Sequence, residues 1–156
     1  MTLSNHFSLA EMTQSATAKR LGIDNTASIP VIANLKSLCT NILEIIRMEW
    51  GEPIIVNSGF RCEKLNKAVG GAKTSDHIYG NAADIRTLSN RKSDNFKLFT
   101  KILELRDQKK IKFGQLIDEH GYSWIHISNP TKKHRNEVLH IKYMMVRDTI
   151  NNVYNV

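Results

Sequence analysis

A histidine and an aspartate flank a single glycine in the stretch TSDHIYGNAADI, residues 74–85. The glycine lets the chain reverse, and the small Ala82 and Ala83 permit tight packing beside Asp84. Histidine and carboxylate are ligand types of catalytic zinc, which takes three protein ligands and leaves one position for water. Two interpretations compete at His77 and Asp84: incidental polar residues of a turn that leads into a strand opened by Asp84, or two ligands of a metal site.

A third ligand must come from another part of the chain, and His126 in SWIHIS is the best candidate. Successive side chains of a strand point to opposite faces. Ile125 and Ile127 are then expected to enter the core. The side chains that share the opposite face are Trp124, His126 and Ser128. A histidine beside a wide aromatic ring on that face is well placed to line a cleft.

Hydrolysis at such a metal also needs a carboxylate that is not a ligand, because a proton must pass from water to the leaving group. Asp118 and Glu119 both precede HGYS, whose glycine favours a hairpin turn. With a four-residue loop, Glu119 pairs with Trp124 and lies on the face of His126. An odd-numbered loop favours Asp118 instead, and an ordinary solvated carboxylate is the third possibility.

Helices are expected to dominate the first half of the chain. Ser8 and Glu11 form a capping-box pattern that opens a short helix. Residues 31–50 carry an apolar stripe at helical spacing, and Gly51 and Pro53 end this core helix. The members of the stripe are Ile32, Leu35, Leu38, Cys39, Ile42, Ile45 and Ile46.

Strands are expected mainly in the second half, with one further helix between them. Residues 54–57 predict a short buried strand, and residues 93–108 predict an amphipathic helix. The apolar residues assigned to its buried face are Phe96, Phe99, Ile102 and Leu103. Two short strands between residues 115 and 128 complete one α+β domain, residues 1–156, in which N-terminal helices pack on a small, mostly antiparallel sheet.

Length and composition limit the classes of protein to which the chain can belong. A chain of 156 residues with 41% hydrophobic and 24% charged residues fits a single soluble domain. We find no run approaching the roughly 20 apolar residues of a membrane helix and no signal-peptide pattern, so we expect cytoplasmic synthesis and no membrane insertion. Cys39 and Cys62 lie outside any CxxC pattern and are expected to stay reduced.

The net charge of +7 favours an anionic partner, which is nucleic acid, a membrane surface or an acidic wall polymer. Two small clusters carry part of this charge, and we interpret both as solvated helix and loop faces. The clusters are Lys109, Lys110 and Lys112, and Lys132, Lys133 and Arg135. No zinc-finger spacing or aromatic RNA-binding pattern is present, so no specific nucleic-acid partner is expected.

The motif SxHxxGxAxD, which starts at Ser75 and ends at Asp84, resembles the signature of the zinc D-alanyl-D-alanine carboxypeptidase and murein endopeptidase family. The segments SGFRCEKLNKAVGGAKTSDH, FGQLIDEHGYSWIHIS and FSLAEMTQSATAKRLGIDN resemble further parts of small phage and bacterial members. The resemblance covers nearly the whole chain. It implies the fold of that family, which is shared with the hedgehog signalling domain.

Transferred residue by residue, the resemblance makes His77, Asp84 and His126 the ligands of one zinc ion per chain. The other histidines, His6, His120, His134 and His140, are interpreted as surface or structural residues. His120 is the one rival ligand, although it falls within the expected turn.

The resemblance also implies catalytic residues. Glu119 takes the place of the family's catalytic carboxylate, in agreement with the even-loop pairing. Arg61 matches an arginine near the scissile carbonyl or the substrate carboxylate, where its guanidinium suits developing negative charge. Ser75 and Trp124 are implied to line the cleft. The chain departs from members with ExxH or HxH around the last ligand, because Ser123 and Trp124 stand at those positions.

The implied function is hydrolysis of peptide bonds in peptidoglycan stem peptides by a monomeric zinc enzyme, a phage-type endolysin or a small bacterial wall-remodelling enzyme. The bond is terminal D-alanyl-D-alanine or an internal one such as L-alanyl-D-glutamate. The protein would act on the wall after release, attached by its positive charge. The alternatives are a non-catalytic wall-binding or virion protein with a structural zinc, and a nucleic-acid binder suggested by charge alone.

Overall fold

The computed structural model describes residues 1–146 and 149–155. Its helices are α1 (Leu9–Thr13), α2 (Ala16–Leu21), α3 (Ile29–Leu38), α4 (Glu44–Trp50), α5 (Glu63–Ala68) and α6 (Lys92–Asp107). A π-helical turn, Cys39–Leu43, joins α3 to α4, and a 3₁₀ turn covers Asp76–Tyr79. The strands are β1 (Ile54–Ser58), β2 (Ala82–Thr87), β3 (Gln115–Glu119), β4 (Trp124–Ser128), β5 (Glu137–Val146) and β6 (Thr149–Asn155).

The described strands form one sheet in the order β1-β2-β4-β3-β5-β6. Neighbouring strands pair antiparallel except β3 and β5, which are parallel. Most of the helices precede β2 in the chain, and α3, α4 and α6 bury apolar faces in the core beside the inner strands. The expected α+β class and mostly antiparallel sheet are therefore confirmed.

The capping box at the first helix is confirmed. The Ser8 hydroxyl accepts a hydrogen bond from the Glu11 amide at 3.2 Å, and the Glu11 carboxylate accepts one from the Ser8 amide. A second anchor of the N-terminal segment was not expected from the sequence. The buried Glu44 carboxylate accepts hydrogen bonds from the Ser4 hydroxyl and the His6 amide, which ties the first residues to the core helix.

The core helix is one helical run from Ile29 to Trp50 with the π-helical turn at its centre. The extra residue of that turn brings Leu43 into the buried face, which the simple stripe did not include. By length and composition this run is apolar enough to cross a membrane, which corrects the expectation that no stretch approaches that length. A core helix of a soluble protein meets the same criterion, and this one packs its buried side chains into the core.

Helix α6 lies within one residue of its predicted bounds, but its buried face is rotated. The prediction was wrong at Phe96, which is 51% exposed and packs its ring on Tyr122. Leu98 and Leu105 are buried with Phe99 instead. The physical reason is a buried amide: Asn95 Oδ1 accepts from the Thr87 amide and hydroxyl, both at 2.9 Å, and this orients the first turn.

The hairpin of β3 and β4 has the expected register. Its loop is the four residues HGYS, and Glu119 pairs with Trp124 while Ile117 pairs with His126. Ile125 and Ile127 are fully buried on the core face, as the alternation predicted. Glu119 and His126 are therefore on the same face of the sheet.

Candidate metal centre

The 3₁₀ turn Asp76–Tyr79 positions His77. The Ser75 hydroxyl caps this turn by accepting from the His77 amide at 3.3 Å. Gly80 ends it with φ +71°, a conformation that side chains other than glycine rarely adopt. A Cβ atom at Gly80 would also lie 2.8 Å from the Val31 carbonyl oxygen, because the turn packs directly on α3. The glycine inside the motif is therefore required by backbone conformation and by packing.

A backbone carbonyl fixes the His77 ring. Its Nδ1 lies 2.6 Å from the carbonyl oxygen of Gly59, which can only accept, so Nδ1 carries the proton. Nε2 faces Asp84 and His126, and in the neutral ring it is the nitrogen free to bind a metal. Metal-binding histidines in proteins are commonly oriented in this way, by a hydrogen bond from the other ring nitrogen. Gly59 itself must lack a side chain, since a Cβ there would lie 2.3 Å from the Met12 carbonyl oxygen.

Adjacent strands bring the other two polar residues together. Asp84 on β2 pairs directly with His126 on β4, so both side chains project from the same face of the sheet. Asp84 is the third residue of β2, not its first as expected. Together with His77 they form a buried group of possible metal ligands.

The potential ligand atoms form a nearly equilateral triangle. His77 Nε2 lies 3.2 Å from Asp84 Oδ1 and 3.2 Å from His126 Nδ1, and the last two atoms are 3.1 Å apart. Tetrahedral bonds of about 2.0–2.1 Å would separate neighbouring ligand atoms by about 3.3–3.4 Å. The chain therefore offers two nitrogens and one carboxylate oxygen at nearly the separation that a tetrahedral zinc ion requires.

The neighbouring histidines keep Asp84 ionised. Burial opposes its ionisation, but the adjacent His77 and His126 side chains hold the pKa of Asp84 well below its usual range. A carboxylate must be deprotonated to bind a metal. Asp84 meets that requirement in spite of its burial.

Glu119 lines the cleft above this triangle, on the strand beside His126. Burial and the negative charge of Asp84 raise the pKa of Glu119 to about 7. Asp118 points the other way and is buried, where its carboxylate accepts from the Tyr122 amide and lies 3.2 Å from His140 Nδ1. In this structure the hairpin presents Glu119 to the cleft and uses Asp118 to hold the turn.

Arg61 lies on the loop after β1 and closes another side of the cleft. One of its terminal nitrogens is 3.8 Å from Asp84 Oδ2, and its backbone amide donates to the His77 carbonyl oxygen at 3.1 Å. Its Nε atom is buried and has no hydrogen-bond partner within the described part of the chain. Asn25, which the sequence did not single out, braces this loop by accepting from the Cys62 amide at 2.8 Å.

The cleft has a volume of about 540 Å³, and its walls include Ser75 and Trp124 as expected. The walls that sequence reasoning missed include Lys133 and His134, which follow β4 in a loop without periodic pattern. Lys133 Nζ donates to the Thr74 hydroxyl at 3.3 Å and so links the two rims. His134 was interpreted as a surface or structural residue, but it also lines the cleft.

The remaining histidines lie outside the triangle. His120 occupies the hairpin turn with φ +55° and stacks edge-on against Trp124 at 5.0 Å between ring centroids. His6 and His140 contact Glu44 and Asp118. Within the described residues, the group of possible ligands comprises His77, Asp84 and His126 alone.

A sheet face that carries an aspartate and a histidine, with a second histidine from a turn at metal-binding distance, defines a candidate metallohydrolase when a carboxylate and an arginine lie beside them. The comparison with known families agrees. The model of the family described as Peptidase M15 matches residues 5–128, so the chain belongs to that family. The resemblance inferred from the motifs is confirmed.

A 44-residue stretch of the chain is 50% identical to the zinc D-Ala-D-Ala carboxypeptidase of Streptomyces albus G. The match covers 28% of this chain and 17% of that relative's length. Family membership and this relative together support a zinc peptidase.

Proposed function

We propose that the protein hydrolyses peptide bonds in the stem peptides of peptidoglycan, as a zinc enzyme with one metal ion per chain. The observation that carries the proposal is the triangle of His77, Asp84 and His126 at the base of a cleft that also contains Glu119 and Arg61. The similarity to a zinc D-Ala-D-Ala carboxypeptidase supports the substrate class.

In this proposal His77 Nε2, Asp84 Oδ1 and His126 Nδ1 hold the zinc ion. When bound, zinc supplies Lewis acidity and lowers the pKa of a water molecule to about 7. The Gly59 carbonyl keeps His77 in the tautomer that binds, and the buried position of Asp84 fixes its oxygen against the two rings. The metal's positive charge would also favour the ionised form of Glu119.

Glu119 and Arg61 have separate tasks. Glu119 accepts the proton of the attacking water and returns it to the nitrogen of the leaving amine. Arg61 donates to the carbonyl oxygen as negative charge develops there. The donors for this oxygen are the terminal nitrogens of Arg61, one of which lies 3.8 Å from Asp84 Oδ2 beside the cleft. Ser75 and Trp124 line the stem-peptide path.

A non-catalytic wall-binding or virion protein with a structural zinc is the alternative. Structural zinc sites are normally closed by four protein ligands, whereas a catalytic site keeps one position open. Three candidate ligands come together in the described part of the chain, with a cleft above them. That arrangement favours the enzyme.

The bond cut is either terminal D-alanyl-D-alanine or an internal bond such as L-alanyl-D-glutamate. We further propose that the protein acts as a monomer on the cell wall, as a phage-type endolysin or a bacterial wall-remodelling enzyme that reaches the wall after synthesis in the cytoplasm. The family match over residues 5–128 supports the peptidase itself.

Digestion of purified peptidoglycan tests the proposal. The protein is incubated with the substrate in added zinc, in excess chelator, and in chelator followed by zinc, and released fragments are identified by mass spectrometry. We expect zinc-dependent release of free D-alanine or of larger stem fragments, and the fragment names the bond. Intact stems under all three conditions, with zinc bound to the protein, would support the non-catalytic alternative.

A further inference from the structure

The two basic clusters of the sequence meet in one groove, which lies outside the metal cleft. This basic groove has a volume of about 1000 Å³ and contains five cationic side chains from two separate segments. They are Arg106, Lys109, Lys112, Lys132 and Arg135. The groove therefore gathers five of the chain's 22 lysine and arginine side chains at one place.

The charge of the groove is largely uncompensated. Among the described residues, none that lines it is acidic. Within the described part of the chain, Lys109, Lys112 and Lys132 form no ion pair with a carboxylate, whereas Lys110 pairs with Glu49 at 2.7 Å. Arg106 is paired with Asp107. Cations gathered along one groove create a positive potential that attracts an anionic ligand.

The backbone beneath these side chains is firmly held. Ile111 and Phe113 are buried under the groove, with 3% and 1% exposure. The Asn136 amide donates to the Phe113 carbonyl oxygen at 2.9 Å, which fastens the second basic segment to the first. The positions from which the cationic side chains extend are therefore set by the fold.

A second cleft of about 550 Å³ continues the groove and shares Lys109 and Lys112 with it. The other polar residues of its walls are Lys110, which pairs with Glu49, and Asn34, Ser37, Asn41, Asn81 and Asn129. The side-chain amides of Asn34 and Asn129 already donate within the protein, whereas Ser37 and Asn41 are exposed. Cations followed by an exposed hydroxyl and an exposed carboxamide match a chain that alternates anionic groups with hydroxyl-bearing units.

We propose that the basic groove binds a phosphodiester-linked polyol or sugar polymer of the cell wall. Phosphate oxygens would contact the lysines, and hydroxyl groups would contact Ser37 and Asn41. Single-stranded nucleic acid is disfavoured because binding it generally uses exposed aromatic rings that stack on bases. The one aromatic residue lining the described groove, Phe113, is 1% exposed.

The groove and the metal cleft share one loop, residues 130–136. Lys132 and Arg135 face the groove, whereas Lys133 and His134 face the metal cleft. A polymer held in the groove would therefore keep the peptidase cleft next to the wall. The choice of a wall polymer rests on the proposed function, but the binding site itself does not.

Equilibrium binding to defined polymers tests the proposal with the full chain. The probe is fluorescently labelled poly(glycerol phosphate), and single- and double-stranded DNA with the same number of phosphates serve as comparisons. The groove variant carries Lys109→Gln, Lys112→Gln and Lys132→Gln. A charge-matched control carries Lys19→Gln, Arg20→Gln and Lys64→Gln, three exposed residues that do not line the groove.

We expect the groove variant to bind poly(glycerol phosphate) at least about tenfold more weakly at 50 mM salt, since one exposed charge contact is worth roughly fivefold in water. The control should change less than about twofold. The salt dependence of binding should also become shallower in the groove variant alone, by close to one phosphate contact for each lysine removed.

Three results would overturn the proposal. They are no binding by the wild type, equal losses in the two variants, or tighter binding of either DNA than of poly(glycerol phosphate) with the same loss in the groove variant. The last result would identify a nucleic-acid site. Hydrolysis of a soluble stem peptide is measured in parallel, because its absence in the wild type would contradict the proposed enzyme without affecting the binding result.

Discussion

The metal cleft and the basic groove lie on either side of one loop but are built on opposite principles. In the metal cleft, buried groups of both signs hold one another at fixed distances, and a carbonyl oxygen sets even the tautomer of His77. In the groove, side chains of one sign extend into solvent from a fixed backbone. Bond cleavage depends on atomic position, whereas attachment to a polymer needs only a high density of charge.

This contrast predicts that His126→Ala affects only the metal cleft. Loss of one of three ligands should remove most of the bound zinc and reduce peptide hydrolysis to background, while poly(glycerol phosphate) binding stays within about twofold of wild type. Elemental analysis, peptide hydrolysis and polymer binding measure the three quantities. Full zinc occupancy in the variant would refute the ligand assignment.

A smaller effect is expected at Arg61, which assists the reaction without binding the metal. Arg61→Ala should lower kcat by about 10²–10³, as typical for loss of a donor to a developing oxyanion, and should leave zinc content unchanged. Arg61→Lys should recover part of the rate because it restores the charge without the forked geometry. A higher KM with unchanged kcat would instead place Arg61 in ground-state substrate binding.

The smallest effect on hydrolysis is expected from salt, which should weaken wall binding and leave the metal cleft nearly unaffected. Screening acts over about 10 Å at 0.1 M salt and affects exposed charges most. Raising salt from 50 to 300 mM should therefore release the protein from intact walls, while hydrolysis of a short neutral stem peptide changes less than about twofold. Equal losses of both would mean that the exposed charges contribute inside the metal cleft.

The sequence predicted the parts of this molecule that depend on local pattern. Strand alternation and an even loop gave the correct register of the hairpin that carries Glu119 and His126. At Phe96 the same kind of reasoning failed, because apolar character alone did not reveal that Asn95 occupies the buried position.

Contacts between distant segments could not be predicted from the sequence, for a different reason. The basic groove joins residues near 109 to residues near 132, and its formation depends on the parallel pairing of β3 with β5 and on the hydrogen bond from Asn136 to Phe113. Neither has a periodic signal in the sequence. The brace that Asn25 gives to the Arg61 loop is likewise a contact between residues far apart in the chain.

The most direct test of the account is a comparison of Glu119→Gln with Asp118→Asn, two isosteric changes at neighbouring residues of one strand. Glu119→Gln should keep its zinc and its fold but lose about 10²–10⁴ in peptide hydrolysis, because it removes the proton acceptor. Asp118→Asn should stay within a few-fold of wild-type activity, because its side chain faces the turn and His140. Wild-type hydrolysis by Glu119→Gln, or near-complete loss in Asp118→Asn with zinc and fold retained, would contradict the assignment of Glu119 as the base.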